Sequence, residues 1–233
     1  MQTIGMIGGM SWESTAVYYL ILNREVQKRL GGMHSAKVLL YSVDFAEIAA
    51  LQDAGRWRQA DERMVTAAIS LEKIGADFLV ICCNTMHCST SAIESAVHIP
   101  LLHIADPLGA AIRKSGLSRP ALLGSRHTME RDEIIRRHLR ERYCLSVLTP
   151  QGGDAELVDR VVCEELVRGQ FLDGSRRAYA QIIARLVGEG ADSVIMGCTE
   201  IPLLLKPQDS AVPMFDTTAL HAMAAVDFTL GQS

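Results

Sequence analysis

Two cysteines sit at matching places in the chain. The run Gly75-Ala76-Asp77-Phe78-Leu79-Val80-Ile81-Cys82-Cys83-Asn84-Thr85 lies over Gly190-Ala191-Asp192-Ser193-Val194-Ile195-Met196-Gly197-Cys198-Thr199-Glu200, which puts Cys83 on Cys198 at an offset of 115 residues. Each follows a short apolar run and precedes a helix start. Free backbone N–H groups at a helix start favour a thiolate and can hold a carboxylate. Asn84, Thr85 and Thr199 add side-chain donors. A small carboxylate-bearing molecule held by both loops would present its α-carbon to a sulfur on each side. One thiolate can then take a proton from one face while the opposite thiol returns one to the other face. Such a transfer inverts a stereocentre and calls for neither metal nor cofactor. A reaction that runs on both mirror forms needs an acid and a base that exchange roles, and two like residues meet that demand.

The other cysteines have a plainer reading. Cysteine often acts only as a small buried apolar side chain, and Cys82, Cys144 and Cys163 fit that description. Cys82 and Cys83 are consecutive at a strand end and should face opposite sides, so only one of them meets a ligand. Competing chemistries leave more unexplained. The run Cys82-Cys83-Asn84-Thr85-Met86-His87-Cys88 lacks metal-knuckle spacing and would leave Cys198 without a role. A cysteine hydrolase needs a thiol–histidine pair; His87 and His127 are candidates, and each reads better as a supporting or structural histidine. No lysine sits at a strand end near the cysteine loops, as a pyridoxal enzyme would want. The G-G-M-S start is not a G-x-G-x-x-G dinucleotide motif. A binding protein without catalysis has no use for two reactive thiols.

The elements that must carry these loops follow from periodicity. Short apolar runs read as buried strands at Thr3–Gly8, Lys37–Val43, Phe78–Cys82, Leu101–Ile104, Ala121–Gly124, Ser146–Thr149, Ser193–Gly197 and Met214–Phe215. Between them, Glu13–Leu30, Arg58–Ile74, Ala155–Arg168 and Ser175–Glu189 carry apolar residues at helical spacing. Alternating strand and helix predicts an α/β fold with parallel sheets. The offset of 115 also places Gly9 on Gly124, and an offset of 113 places Ile99-Pro100-Leu101-Leu102 on Val212-Pro213-Met214-Phe215. The repeat predicts two pseudo-symmetric α/β lobes, each a parallel sheet flanked by helices, with the active site in the cleft between them. Ligands in such sheets bind outside the carboxyl ends of the strands, which sets Cys83 and Cys198 on opposite walls. The expected boundaries are 1–98 with 211–233 for the first lobe and 99–210 for the second.

Composition closes off other classes. The chain has 233 residues, nearly half of them hydrophobic, and a net charge of −4. That balance gives no basic footprint for nucleic acid and no polybasic stretch for a membrane surface. The basic cluster Arg131, Arg136, Arg137, Arg140 and Arg142 alternates with Glu130, Asp132, Glu133 and Glu141, as on a solvated helix face. No apolar run approaches the ~20 residues of a membrane span. The N-terminus has no basic region ahead of a long apolar core, so no signal peptide is expected. The expected location is cytoplasmic, with the six cysteines as reduced thiols.

The start I-G-M-I-G-G-M-S-W-E-S-T, the central C-N-T-M-H, the G-S-R-H-T-M-E stretch, the later G-C-T-E-I-P-L-L and the late P-x-F-D-T together resemble the aspartate/glutamate racemase family, over the whole chain and in the same order. The resemblance implies a cofactor-independent amino-acid racemase, an isomerase whose acid/base thiols are Cys83 and Cys198. It implies substrate contacts from Met10, Ser11, Gln52, Asn84, Thr85, Thr128 and Thr199. It also implies a free amino acid, foremost aspartate or glutamate, as the small-molecule partner, and a homodimer. Some members carry threonine at the first cysteine position and are one-sided; Cys83 implies a two-base enzyme working in both directions. One departure stands out. Aspartate-selective members grip the side-chain carboxylate with basic residues, whereas the corresponding stretches 44–51 and 161–166 here offer Glu47, Glu164 and Glu165 and no lysine or arginine. Glu164 is therefore a candidate contact for the substrate side chain. A broad-specificity racemase of neutral polar amino acids stays open beside the acidic substrates, as does a related decarboxylase or cis–trans isomerase.

Overall fold

The computed structural model describes residues 1–232. They form two compact units, Met1–Ile104 with the segment from Thr218 onward, and Ala105–Thr217. The first unit runs β1 (Ile4–Gly8), α1 (Trp12–Leu30), β2 (Val38–Ser42), α2 (Phe45–Asp53), α3 (Trp57–Lys73), β3 (Phe78–Ile81), α4 (Thr90–Glu94) and β4 (Leu101–Leu102). The second continues with α5 (Ala105–Lys114), β5 (Pro120–Leu123), α6 (Arg126–Glu130), α7 (Arg136–Tyr143), α8 (Gly153–Glu164), α9 (Asp173–Gly188), β6 (Ser193–Met196), α10 (Ile201–Leu204) and β7 (Met214–Asp216). The last helix, α11 (Thr217–Thr229), belongs to the first unit from Thr218 on. Among the described residues no helix is long and apolar enough to cross a membrane.

Each unit holds one parallel sheet. The first has the order β2-β1-β3-β4 and the second β5-β6-β7. The fourth strand expected at Ser146–Thr149 shrinks to a single parallel bridge between Leu148 and Ala121. That bridge lies on the same side of β5 as β2 does of β1, so the two sheets share one plan. Their registers agree in detail. Leu79 pairs with Leu101, and its repeat counterpart Val194 pairs with Met214. Ile4 pairs with Phe78 as Pro120 pairs with Ser193, so counting along both strands brings Gly8, not Gly9, onto Gly124.

Strand pairing corrects the expected lobe boundaries. Leu101–Leu102 adds to β3 and stays in the first unit, although the second lobe was expected to begin at 99. Met214–Asp216 adds to β6 and stays in the second unit, although the return was expected from 211. The physical reason is the repeat itself: both segments are the strand that closes the sheet beside a cysteine-bearing strand.

The cores explain why these strands are apolar throughout. On one face of the first sheet, Ile4, Met6, Phe78, Val80 and Cys82 pack with Tyr18, Leu22 and Val26 of α1 and Ala222, Ala225 and Val226 of α11. On the other, Ile7, Leu79 and Ile81 pack with Met64, Ala67, Ala68 and Leu71 of α3. In the second unit Ala121, Leu123, Val194 and Met196 pack with Val158, Val161 and Val162 of α8 and Tyr179, Ile182, Ile183 and Leu186 of α9. The Arg-rich cluster lies on and just before α7, as a solvated helix face requires. Part of it also ties α7 to α5, because Asp106 accepts from His138 Nε2 at 2.8 Å, Tyr143 Oη at 3.0 Å and Arg142 Nη1 at 3.2 Å.

The repeated Gly-Ala-Asp has a structural task in both halves. The Asp77 carboxylate accepts the N–H of Thr3 at 2.6 Å, just before β1. The Asp192 carboxylate accepts the N–H groups of Ser118 and Arg119 at 2.7 and 2.8 Å, just before β5, and the Ser193 hydroxyl at 2.8 Å. Burial pushes the Asp192 carboxyl up, but these donors outweigh it and hold it below the usual carboxylate range. The stabilisation is therefore present above the unfolded value near ~3.9 and is lost as pH falls through the lower folded value. Asp192→Ala is expected to destabilise the protein by about 1–3 kcal/mol at neutral pH. The gap to wild type should shrink on acidification below about pH 3.9, as followed by urea denaturation at several pH values.

Candidate active site

The first cysteine loop leaves the carboxyl end of β3. Cys82 is fully buried on the α1 and α11 face, while Cys83 is half-buried on the α3 face, so the two thiols do point to opposite sides of the sheet. Buried Asn84 precedes a 3₁₀ turn over Thr85–Ser89, and Thr85 is buried as well. His87 pins this loop. Its Nδ1 lies 2.8 Å from the Cys83 carbonyl oxygen, and the Ile104 N–H donates to its Nε2 at 3.2 Å. These partners require the neutral ring with its proton on Nδ1. Both ring nitrogens are thereby engaged by backbone, which gives His87 a structural task rather than that of a metal ligand or hydrolase base.

The neighbouring contacts come from the ends of β1 and α2. Buried Ser11 caps α1 by accepting the Ser14 N–H at 3.4 Å, and the Ser14 hydroxyl donates to the Cys82 carbonyl at 3.2 Å. Thr15 accepts the Gly9 N–H at 2.8 Å and donates to the Ser11 carbonyl at 3.0 Å. Met10 is buried in the same cluster as Met86 and Leu51, with Cys83 packed against it. Half-buried Gln52 donates from Nε2 to the Met86 sulfur at 3.1 Å. The structure thus gathers Met10, Ser11, Gln52, Cys83, Asn84 and Thr85 at the carboxyl ends of β1 and β3.

In the second unit Cys198 follows β6 and Gly197 and is half-buried against the α8/α9 core. It occupies the same strand face as Cys83, since Val194 and Met196 share its parity as Leu79 and Ile81 share that of Cys83. A side chain at Gly197 would put its Cβ 2.6 Å from Leu122 Cδ1 and 3.0 Å from the Leu123 carbonyl, so the chain can pass here only as glycine. Ser125 caps α6 through the N–H of Thr128 at 3.4 Å. Buried Thr128 lies against both Gly124 and Gly197, and so beside the cysteine loop. Thr199 is buried, and its hydroxyl donates to Glu200 Oε2 at 2.7 Å. The Cys198 thiol donates to the same oxygen at 2.9 Å. Glu200 is only 4% exposed. Reasoning from the sequence passed over Glu200, although its signal was on view: it is the position of the repeat where an acid faces the neutral Thr85.

Two expectations change. The helical element after each cysteine is short, a 3₁₀ turn before α4 in the first unit and the four-residue α10 in the second. Neither cysteine therefore stands at the start of a long helix dipole. Cys144 and Cys163 are exposed, not buried. Cys144 ends α7 in a left-handed conformation, and Cys163 falls beside the Val158, Val161, Val162 stripe rather than on it. Glu164 is exposed at the end of α8. With Arg126, Arg136, Asp159, Arg160 and Cys163 it lines a cavity of about 700 Å³ in the second unit. Glu165 instead accepts the Ser175 hydroxyl at 2.5 Å.

Known proteins share this fold. The model of the family described as Asp/Glu/Hydantoin racemase matches residues 7–225. The chain is similar to the crystal structure of a provisionally assigned Asp/Glu racemase from Yersinia pestis, with 48% identity, a TM-score of 0.92 and coverage of 99% of this chain and 100% of that one. An aspartate racemase homologue from Pyrococcus horikoshii is 30% identical with a TM-score of 0.82, over 99% of this chain and all of its own. The broad specificity amino-acid racemase RacX of Bacillus subtilis is 23% identical over 96% of both chains.

Proposed function

The chain belongs to the Asp/Glu/Hydantoin racemase family, the isomerases that act on amino acids, and from that premise we propose that it inverts the α-carbon of a free amino acid by passing a proton between Cys83 and Cys198, without a cofactor. One observation carries the reading. The two thiols leave equivalent parallel strands on equivalent faces, each half-buried and each beside hydroxyl or amide donors. One thiolate removes the α-proton, the electron pair spreads into the substrate carboxylate, and the other thiol protonates the opposite face. Ser11, Asn84, Thr85, Thr128 and Thr199 hold the carboxylate and amino group, while Met10 and Gln52 shape the first unit's side. As part of the same reading the protein is a cytoplasmic homodimer.

For the substrate side chain we propose a relaxed range centred on aspartate and glutamate. The cavity that Arg126 and Glu164 line carries both signs of charge, so it can meet an acid through Arg126 and a hydroxyl or amide through Glu164. A broad range over neutral polar amino acids is the second reading, favoured by the exposed Glu164 and by the likeness to RacX. Incubating L- and D-amino acids in D₂O and following α-proton exchange by NMR tests the function. The expected result is exchange and inversion without loss of carbon dioxide; carbon dioxide release would point to a decarboxylase. Arg126→Ala should lower kcat/KM for aspartate and glutamate about tenfold or more, with smaller effects on homoserine and glutamine, because it leaves an acid without its partner. An unchanged aspartate preference in that variant would refute this account of the pocket.

A further inference from the structure

We infer that Glu200 is a positioning residue that keeps the proton on Cys198 between turnovers, so that Cys198 enters the cycle as the acid and Cys83 as the base. The inference rests on the two-thiol reading and adds an order to it.

The geometry names the donor. Cys198 Sγ lies 2.9 Å from Glu200 Oε2, and the Thr199 hydroxyl donates to that same oxygen at 2.7 Å. An oxygen that takes two hydrogen bonds from its own loop is acting as an acceptor, an arrangement that matches a thiol at Cys198 beside a Glu200 carboxylate. A Cys198 thiolate would set two negative charges side by side in a site that is largely closed to water, which raises the free energy of that form. The loop is stiff enough to maintain the contact. The Ile201 N–H donates to the Cys198 carbonyl at 3.1 Å, and the Leu203 N–H donates to the Glu200 carbonyl at 3.0 Å.

Tyr179 of α9 donates its hydroxyl to the Val158 carbonyl at 2.8 Å. Burial first, and then Cys198, Glu165, Asp159 and Cys163, push that phenol well above its ordinary range. The coupling to Cys198 places that thiol within electrostatic reach of this phenol, which stays neutral. In the repeat, the position matching Glu200 is Thr85, whose hydroxyl carries no charge. The two acid/base positions are therefore alike in residue type and unlike in setting.

The proton inventory closes. The Cys83 thiolate takes the α-proton, breaking C–H and forming S–H, and the electron pair stays on the substrate. The Cys198 S–H then delivers its proton to the opposite face and becomes a thiolate. Water returns a proton to Cys198 and accepts one from Cys83, which restores the starting form. In the opposite direction Cys198 must first give up its proton beside Glu200. Because two enantiomers have equal free energy, kcat/KM stays equal in both directions, and the asymmetry appears in the ionisation of each thiol.

The test needs no substrate. The rate of alkylation by iodoacetamide is measured against pH for each cysteine of the full chain, with peptides resolved by mass spectrometry. In the wild type the Cys198 midpoint should lie above that of Cys83. Glu200→Gln should lower the Cys198 midpoint by about 1–3 pH units, the usual span for a like charge at contact, and leave Cys83 in place. Glu200→Asp, which keeps the charge, should restore most of the difference. A Cys198 midpoint at or below that of Cys83 in the wild type would overturn the inference even if Glu200→Gln failed to fold. So would a Cys198 midpoint that Glu200→Gln does not lower. Absence of α-proton exchange with every amino acid would instead refute the racemase reading and leave the alkylation result to stand by itself.

Discussion

Cys198→Ala is expected to lose racemisation by about 10²–10⁴-fold or more, and Cys83→Ala by a similar factor, the range for removing a positioned acid or base. The informative part is what remains. A single thiolate can remove a proton and return a solvent deuteron on its own face, so each variant should still exchange the α-proton of one enantiomer, and the two variants should choose opposite enantiomers. Chiral chromatography measures inversion and NMR in D₂O measures exchange. Both cysteines are half-buried, so the loss should appear in kcat with little change in unfolding midpoint. The other thiols provide the contrast. Cys144→Ala and Cys163→Ala change exposed side chains and should keep full activity. Cys82→Ala removes a fully buried side chain from the α1 and α11 core, so any deficit there should track stability. Because Cys144 and Cys163 are exposed, loss of activity on alkylation identifies a catalytic thiol only when the modified peptide is mapped. Full activity in Cys198→Ala would end the two-thiol proposal.

Much of this arrangement was legible because a parallel strand buried on both faces leaves a continuous apolar run, and because the chain carries its plan twice. Among the described residues seven strands lie where runs such as Phe78–Cys82 and Ser193–Gly197 place them, and the long helices α1, α3, α8 and α9 follow the helical spacing of their apolar residues. The segments that escaped have specific causes. α5 begins A-D-P-L-G, and proline with glycine reads as a turn. Pro107 is tolerated in a first turn, where its missing N–H has no partner to lose. Gly109 is present because a Cβ there would lie 2.4 Å from the Tyr143 ring. α11 carries alanines and small polar residues, so its buried stripe of Ala222, Ala225 and Val226 produces little contrast.

The boundary error and the cysteine error share a cause. Local pattern tells that Met214–Asp216 is a strand but not which neighbour it pairs with, and that decision belongs to tertiary structure. Likewise a cysteine's type gives its average burial, whereas its place on a helix gives its own. Cys163 lies next to a buried stripe without belonging to it. Glu200 is the opposite case. Its role depends on a side-chain rotamer that brings Oε2 to Cys198, and sequence shows only that an acid is two residues away.

His87→Ala is expected to be the most destabilising change near the first cysteine. His87 is 2% exposed and joins two backbone groups that have to be paired, the Cys83 carbonyl and the Ile104 N–H. Leaving a buried donor or acceptor unmatched costs about 1–3 kcal/mol each, and the missing ring adds a cavity. The imidazole also packs edge-on against His103 and His221 at centroid distances of 4.8 and 5.6 Å. His221 in turn accepts the Tyr18 hydroxyl at 2.9 Å and donates to the Leu102 carbonyl at 2.9 Å. The two histidines therefore fasten the end of β4 to the cysteine loop and to α1. Two such groups plus the cavity amount to a loss of about 3–6 kcal/mol, read as a lowered urea midpoint. Two partial replacements separate anchoring from catalysis. In His87→Asn the amide nitrogen stands near Nδ1 and can still donate to the Cys83 carbonyl. In His87→Gln the longer amide reaches toward the Ile104 N–H and leaves that carbonyl unmatched. Both should be less stable than wild type, but His87→Asn should retain more turnover per folded molecule, because it keeps the cysteine loop in place. Equal turnover in the two variants would mean that the hydrogen bond to the Cys83 carbonyl does not position the thiol.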